Sequence, residues 1–249
     1  MTDKIRNFTK PAVARKHAGK KAPTERTANR DIEAFLHKAN AMAVAGPAGA
    51  GRLIFALDAT MSRQPTWDTA CHLQAEMFRE VAGIGTLDVQ LVYFRGLGEC
   101  RASKWVHDGT SLAGLMSRIT CQGGHTQIGR VLSHAIADTK KKQVSALVYV
   151  GDCMEENADD LCVLAGELGM RKVPAFLFQE GSDPTAEATF REIARLTKGA
   201  FCRFDSGSAK QLGDLLRAVA VYAAGGYKAL VAHRDKGESG GQKLLEQMR

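Results

Sequence analysis

Residues 53–62 read LIFALDATMS, a short apolar run that stops at an acidic residue and continues into small hydroxylated ones. This pattern predicts a buried strand that ends in a loop. Asp58, Thr60 and Ser62 follow one another at steps of two, so one turn can direct a carboxylate oxygen and two hydroxyl oxygens to a common point. Oxygen donors of this kind suit a hard divalent cation. The loop is therefore a candidate metal site, provided that other segments supply the remaining ligands.

Two later segments can supply them. Residues 144–150 form the most strand-like run in the chain, as expected of a central parallel strand covered on both faces, and this run ends at Gly151-Asp152. Thr126 lies in the glycine-rich stretch CQGGHTQ at residues 121–127, directly before a segment with apolar residues at helical spacing. Taken alone, Thr126 is more simply interpreted as a helix N-cap, because threonine often fills that role.

Strand and helix patterns alternate along most of the chain. Strand-like runs occur at 53–57, 87–94, 144–150, 174–178 and 200–204, with an antiparallel edge strand at 99–106. Helical periodicity occurs around 66–81, 111–119, 128–136, 161–168, 185–197 and 212–222. This alternation predicts an α/β fold, a doubly wound, mostly parallel six-stranded sheet with one antiparallel edge strand and helices on both faces. In such sheets ligands bind beyond the carboxyl ends of strands where the strand order reverses, so Asp58 and Asp152 converge if their strands are neighbours there.

The composition indicates one large domain with tails. A chain of 249 residues can bury roughly 70–75% of its unfolded surface without a disulfide or structural metal. The six cysteines are scattered without zinc spacing, which favours free thiols in a reducing compartment. The chain contains no apolar run of about 18 residues and no signal sequence, so we expect a cytoplasmic protein without a membrane span.

The positive charge is concentrated at the beginning of the chain. Residues 1–30 contain nine Lys or Arg and two acids, a balance of +7 that equals the net charge of the whole chain. We therefore predict a basic disordered tail at 1–30, a helix and glycine-rich linker at 31–51, a folded domain at 52–234 and a polar tail at 235–249. The glycine-rich run at 46–51 precedes a strand and lacks a following Gly-Lys-Ser/Thr, so it is not interpreted as a phosphate-binding loop.

The spacing Asp58-x-Thr60-x-Ser62, the single Thr126 in its glycine-rich loop, and Asp152 after the fourth strand together resemble the metal-ion-dependent adhesion site (MIDAS) of von Willebrand factor type A (VWA) domains. The resemblance extends over residues 52–225 and implies a Rossmann-like VWA domain. It implies neutral oxygen ligands from Thr60, Ser62 and Thr126, and carboxylates that bind directly or through water. The implied ion is Mg²⁺, with Mn²⁺ or Ca²⁺ as alternatives. Family members usually carry Ser in place of Thr60, and many carry Gly or a different acid in place of Cys153-Met154.

The resemblance also implies a function. A VWA module of this kind captures a Glu or Asp of a partner protein, because two carboxylates leave the ion able to attract another anion. By analogy, bacterial VWA proteins work beside AAA+ ATPases in the assembly of metalloenzymes, but nothing in this chain selects that partner. We therefore expect a protein that is not an enzyme.

Three alternatives remain open. The chain also resembles Mg²⁺-dependent phosphatases of the haloacid dehalogenase superfamily, in which Asp58 would be the nucleophile; against this, Thr60 stands where those enzymes usually carry a second Asp. His125 is the nearest candidate base. A second alternative makes the tail at 1–30 the functional part, binding an acidic surface or nucleic acid. The third is an ordinary doubly wound domain in which these residues only cap helices.

Overall fold

The computed structural model describes residues 51–64, 67, 87–107, 109–204, 213 and 216–224. The basic tail, the helix and linker at 31–50, most of the helix around 66–81 and the polar tail at 235–249 lie outside the described residues.

Among the described residues, six strands form one sheet. They are β1 Gly51–Asp58, β2 Leu87–Arg95, β3 Glu99–Ala102, β4 Ala146–Gly151, β5 Ala175–Glu180 and β6 Ala200–Phe204. Their order is β3-β2-β1-β4-β5-β6, and only the β2–β3 pair is antiparallel. The predicted mostly parallel sheet with one antiparallel edge strand is therefore confirmed.

The edge strand β3 is shorter than the predicted run at 99–106. The Ser103 Oγ, not a main-chain carbonyl, accepts the hydrogen bond from Leu91 N–H at 3.1 Å. Beyond this point, pairing with β2 continues only as an isolated bridge between Val89 and Val106. A side chain has replaced one main-chain group of the ladder, so the regular strand ends there.

Helices cover both faces of the sheet. The long ones are α1 Gly109–Met116, α2 Ile128–Lys141, α3 Ala158–Met170 and α4 Pro184–Leu196, and residues 216–224 are also helical. Alternate residues of β4 point to opposite faces: Val148 packs in the core beneath α1 and 216–224, and Leu147 in the core beneath α2, α3 and α4. This burial on both sides is what the apolar run at 144–150 predicts. None of the described helices combines the length and apolarity that a bilayer span requires.

The first strand begins at Gly51, the residue that the sequence pattern places last in the linker. A Cβ at this position would lie 1.9 Å from the main-chain oxygen of Ala223. The strand passes so close to the 216–224 helix that only glycine fits without displacing backbone. Gly51 is therefore part of the packed domain.

The strand order reverses between β1 and β4. From β1 the chain continues to β2 and β3 on one side of the sheet, and from β4 to β5 and β6 on the other. The register pairs Leu57 with Val150, so the carboxyl ends of β1 and β4 lie side by side. Asp58 ends β1, and Asp152 directly follows β4. Both carboxylates are therefore at the position where sheets of this type bind ligands.

Candidate metal centre

Three side chains with metal-binding atoms meet at this switch point. The ligand atoms of Asp58, Asp152 and Cys153 all lie within 4.8 Å of one another. The two carboxylates, which are 94 residues apart in the chain, share one cluster and do not point into separate crevices. The cluster contains a thiol as well, at the position where the sequence departs from the usual MIDAS pattern.

The Asp58 carboxylate is completely buried, and only one of its oxygens has a hydrogen-bond partner in the part of the chain that the structure describes. Its Oδ1 accepts a hydrogen bond of 2.8 Å from the main-chain N–H of Thr60. The Asp58 Oδ2 and the Asp152 Oδ1 are both buried without a hydrogen-bond partner among the described residues. A buried carboxylate oxygen without a donor is costly. A cation between the two side chains would satisfy both atoms, so the residues fit a metal ion.

Burial and the neighbouring charges change the pKa values of the side chains in this cluster. Burial raises the pKa of Asp58 to about 6; the hydrogen bonds from Thr60 oppose this rise, and the negative charge of Asp152 adds to it. Burial, followed by the charges of Asp152 and Asp58, raises the pKa of the Cys153 thiol to about 12. Burial is the largest cause of both shifts, and a divalent cation would oppose both by favouring the charged forms of the two side chains.

The two hydroxyl residues of the first loop are positioned by its backbone. A short 3-10 turn, Met61–Arg63, follows Thr60, and Thr60 does not cap it with its side chain. Instead, the buried Thr60 Oγ1 lies 3.0 Å from the Ser62 Oγ. The bond from Thr60 N–H to Asp58 folds this pair of hydroxyls back toward the carboxylate. Three of the five sequence-predicted ligands are thus joined in one compact loop.

Thr126 is held by the segment that follows Asp152. Its Oγ1 accepts a hydrogen bond of 3.0 Å from the main-chain N–H of Glu155, and its own N–H donates to the Glu155 Oε2 at 3.0 Å. The N-cap of α2 is Gln127, not Thr126, so the interpretation of Thr126 as a helix cap is wrong. A hydroxyl oxygen has two lone pairs, and the Thr126 Oγ1 therefore retains one for a metal.

Glu156 provides the cap that α2 would otherwise lack. Its carboxylate accepts hydrogen bonds from the main-chain N–H groups of Ile128 at 2.5 Å and Gly129 at 2.9 Å. An acidic group at a helix N-terminus also interacts favourably with the helix dipole. Two consecutive glutamates after Asp152 thus bind the loop and the helix that carry Thr126.

The loop at 121–127 is also attached to the end of β1 and the turn after β2. The main-chain N–H of Gln122 donates to the oxygen of Ala59 at 3.0 Å, and that of His125 donates to Gly96 at 3.3 Å. A Cβ on Gly124 would lie 2.0 Å from the Gly96 oxygen, so this close approach requires glycine. The side chain of His125 is exposed. Its Nδ1 lies 3.1 Å from the Glu155 Oε2.

Sequence reasoning missed one buried charge. Arg63 is 1% exposed and forms an ion pair with Glu180, at the end of β5. Burial lowers the pKa of Arg63, and the charges of Asp152 and Asp58 oppose that change, because the guanidinium lies near the site. The sequence signal was a single arginine directly after the hydroxyl pair. Long charged side chains are usually exposed, so the pattern did not favour burial.

No protein-family model matches the chain, and neither does any curated protein. Solved structures do match. A VWA protein from Catenulispora acidiphila is 16% identical with a TM-score of 0.56, over 72% of this chain and 44% of that one. The VWA domain of SpRpn10 is 13% identical with a TM-score of 0.53, over 68% of this chain and 94% of that one.

A third match is proximal thread matrix protein 1 from the mussel byssus, in a structure with a zinc-occupied MIDAS motif. It is 14% identical with a TM-score of 0.55, over 71% of this chain and 47% of that one. The chain thus spans less than half the length of two of these three proteins. At such low identities the likeness shows the fold alone. The protein has the VWA fold, as the sequence resemblance implies.

Proposed function

We propose that this protein is a binding module that captures a Glu or Asp side chain of a partner protein through a divalent cation. The cation would be held by the five oxygen-bearing residues Asp58, Thr60, Ser62, Thr126 and Asp152. The observation that carries the proposal is the pair of buried carboxylate oxygens on Asp58 and Asp152 at the switch point, neither of which has a hydrogen-bond partner among the described residues. Binding fits this arrangement better than catalysis, because Thr60 offers no second carboxyl group to protonate a leaving group.

The residues of the site would have different roles in binding the ion. Asp58 and Asp152 supply the negative charge, while the three hydroxyls supply neutral oxygens. Thr60 N–H fixes one oxygen of Asp58, which leaves the other directed at the ion. Glu155 holds Thr126 from both its N–H and its hydroxyl. When bound, the ion supplies a Lewis-acidic position that an incoming carboxylate can fill.

Charge balance explains why the partner's group should be acidic. Two carboxylates only neutralise a divalent ion, and the nearby Arg63–Glu180 pair adds no net charge. The five residues would hold the ion and leave it able to accept one more ligand, for which a carboxylate would be favourable. Met61 lies between Thr60 and Ser62 and is 53% exposed, so it offers the partner an apolar contact beside the ion.

Oxygen donors alone favour Mg²⁺, with Mn²⁺ or Ca²⁺ as substitutes. We place the protein in the cytoplasm, where the free thiols of Cys153 and Cys162 would remain reduced. A role beside an AAA+ ATPase or in metalloenzyme assembly follows from the family resemblance only. Binding of an acidic surface or nucleic acid by residues 1–30 is a separate expectation from charge.

The direct test measures metal binding and partner capture in the same variants. Asp58→Ala should abolish Mg²⁺ or Mn²⁺ binding in calorimetry and should leave the circular dichroism spectrum unchanged. Asp160→Ala is the matched control, because it removes an exposed carboxylate on α3. A partner recovered from lysate should bind the parent and the control in Mg²⁺ but not in EDTA, and replacing its contacting Glu by Gln should release it. Capture that persists in EDTA, or in Asp58→Ala, would refute the proposal.

A further inference from the structure

The five-oxygen site makes no use of Cys153, although its thiol belongs to the same cluster. The Cys153 Sγ lies within 4.8 Å of a carboxylate oxygen of both Asp58 and Asp152. The residue is half-buried and its thiol is free. A cysteine near acids is not in itself a site. Here, however, a carboxylate oxygen of the fully buried Asp58 belongs to the same cluster, and the Asp58 Oδ2 has no hydrogen-bond partner among the described residues.

The spacing suits a shared ion. A tetrahedral ion with metal–oxygen bonds of about 2.0 Å and a metal–sulfur bond of about 2.3 Å holds the oxygen and sulfur about 3.5 Å apart. The upper limit of 4.8 Å between the ligand atoms exceeds that separation by about 1.3 Å. Rotation about the single side-chain torsion of cysteine can close such a gap without moving the backbone.

The donor types then decide which ion is preferred. Mg²⁺ and Ca²⁺ bind oxygen and gain little from sulfur, whereas Zn²⁺ accepts carboxylate oxygen and thiolate sulfur together. We propose that Cys153 joins Asp58 and Asp152 in holding a four-coordinate cation of the zinc class, with the fourth position left for the partner's carboxylate, and that Cys153 makes the centre prefer such a cation over Mg²⁺ and Ca²⁺. This inference rests on the proposed function in one respect, namely that Asp58 and Asp152 hold the same ion.

Binding at Cys153 exchanges the thiol proton for the metal ion. The ion forms a bond to the Cys153 sulfur as the thiol proton leaves to solvent, and no oxidation or reduction occurs. In a site made only of oxygens, replacing a nearby cysteine would have almost no effect on affinity. In a site with sulfur, the same replacement lowers the affinity for zinc far more than the affinity for magnesium.

The experiment uses Co²⁺ as a spectroscopic substitute for Zn²⁺, with the full chain kept reduced by a phosphine. Coordination by thiolate produces a sulfur-to-cobalt charge-transfer absorption in the near ultraviolet, which oxygen ligands do not produce. The parent and Cys162→Ser, the control at a free cysteine on α3, should both show this band, and Cys153→Ser should not. In competition with a chelating dye, Cys153→Ser should lose about 10- to 100-fold in Zn²⁺ affinity. Its Mn²⁺ affinity should change less than about twofold, because Mn²⁺ prefers oxygen.

Two kinds of failure can be told apart. If Asp58→Ala abolishes Co²⁺ binding but the parent shows no charge-transfer band, the metal centre stands and the role of Cys153 is refuted. A band that survives in Cys153→Ser likewise refutes it, since another cysteine must then be the source. If Asp58→Ala binds Co²⁺ as tightly as the parent, the proposed centre itself is refuted. Cys153→Ala, which leaves no oxygen in place of the sulfur, should give the same loss of the band as Cys153→Ser.

Discussion

Replacing Asp58 by asparagine should make the metal-free protein more stable at neutral and alkaline pH. The folded protein raises the pKa of this carboxyl from 3.8 to about 6, mainly because it is buried. One pKa unit corresponds to about 1.4 kcal/mol, so keeping Asp58 ionised costs the folded state about 3 kcal/mol at pH 8. Asparagine retains the oxygen that accepts the Thr60 N–H and carries no charge. Asp58→Asn should therefore increase the free energy of unfolding by up to about 3 kcal/mol.

The sign of the pH dependence follows from the direction of the shift. A raised pKa means that the folded state holds the proton more tightly, so the contribution of Asp58 is most favourable below pH 3.8. It is lost as the pH rises through about 6, and it stays unfavourable above that value. The stabilising effect of Asp58→Asn should accordingly be full at pH 8 and shrink steeply between pH 6 and pH 4.

Urea unfolding in EDTA, followed by circular dichroism at several pH values, measures this difference. Asp160→Asn serves as the control, because that carboxyl is exposed and its replacement should change stability by less than about 0.5 kcal/mol. The reasoning would be refuted if Asp58→Asn were no more stable than the parent at pH 8. An increase that is equally large at pH 4 would also contradict it, since the gain would then not come from removing a charge.

Four further outcomes are expected. Mg²⁺ or Mn²⁺ at a hundred times its dissociation constant should raise the free energy of unfolding of the parent by about 2.7 kcal/mol and leave Asp58→Ala unchanged in thermal denaturation. Thr126→Ala should weaken Mn²⁺ binding in calorimetry, whereas Thr126→Ser, which keeps the hydroxyl, should bind within a fewfold of the parent. Glu156→Gln should lower stability to urea by about 1 kcal/mol, because it removes a charged cap from α2, and should weaken Mn²⁺ binding less than Thr126→Ala does, because Glu155 still holds Thr126. With Mg²⁺ and an aryl phosphate the parent should release no phosphate; release that Asp58→Asn abolishes would favour the phosphatase interpretation.

The strands of the sheet could be predicted from the sequence, because burial on one or both faces determines the hydrophobic periodicity of a strand. The run at 144–150 has the pattern expected of a central strand covered on both sides, and β4 packs into both cores. The order of the strands in the sheet is not determined by any local sequence pattern. The convergence of Asp58 and Asp152 therefore depended on the general rule for switch points and on the family resemblance, not on any feature near either residue.

The contacts that could not be foreseen are those between segments distant in the chain. Thr126 has the sequence position of an N-cap, but the carboxylate of Glu156, 28 residues after Ile128, caps α2 instead. Local patterns describe a helix start by its own residues and contain no information about a cap from another loop. The burial of Arg63 against Glu180 and the approach of Cys153 to Asp58 are likewise contacts between segments that are distant in the chain.

The consecutive glutamates after Asp152 have a consequence for the thermodynamics of recognition. Glu155 and Glu156 fasten the segment carrying Thr126 to the segment carrying Asp152 through four hydrogen bonds to main-chain or hydroxyl groups. A binding site that is already ordered in this way loses little conformational entropy when a ligand binds. Association should accordingly be fast and nearly rigid, with amide hydrogen exchange at residues 126–129 slow both before and after a ligand arrives.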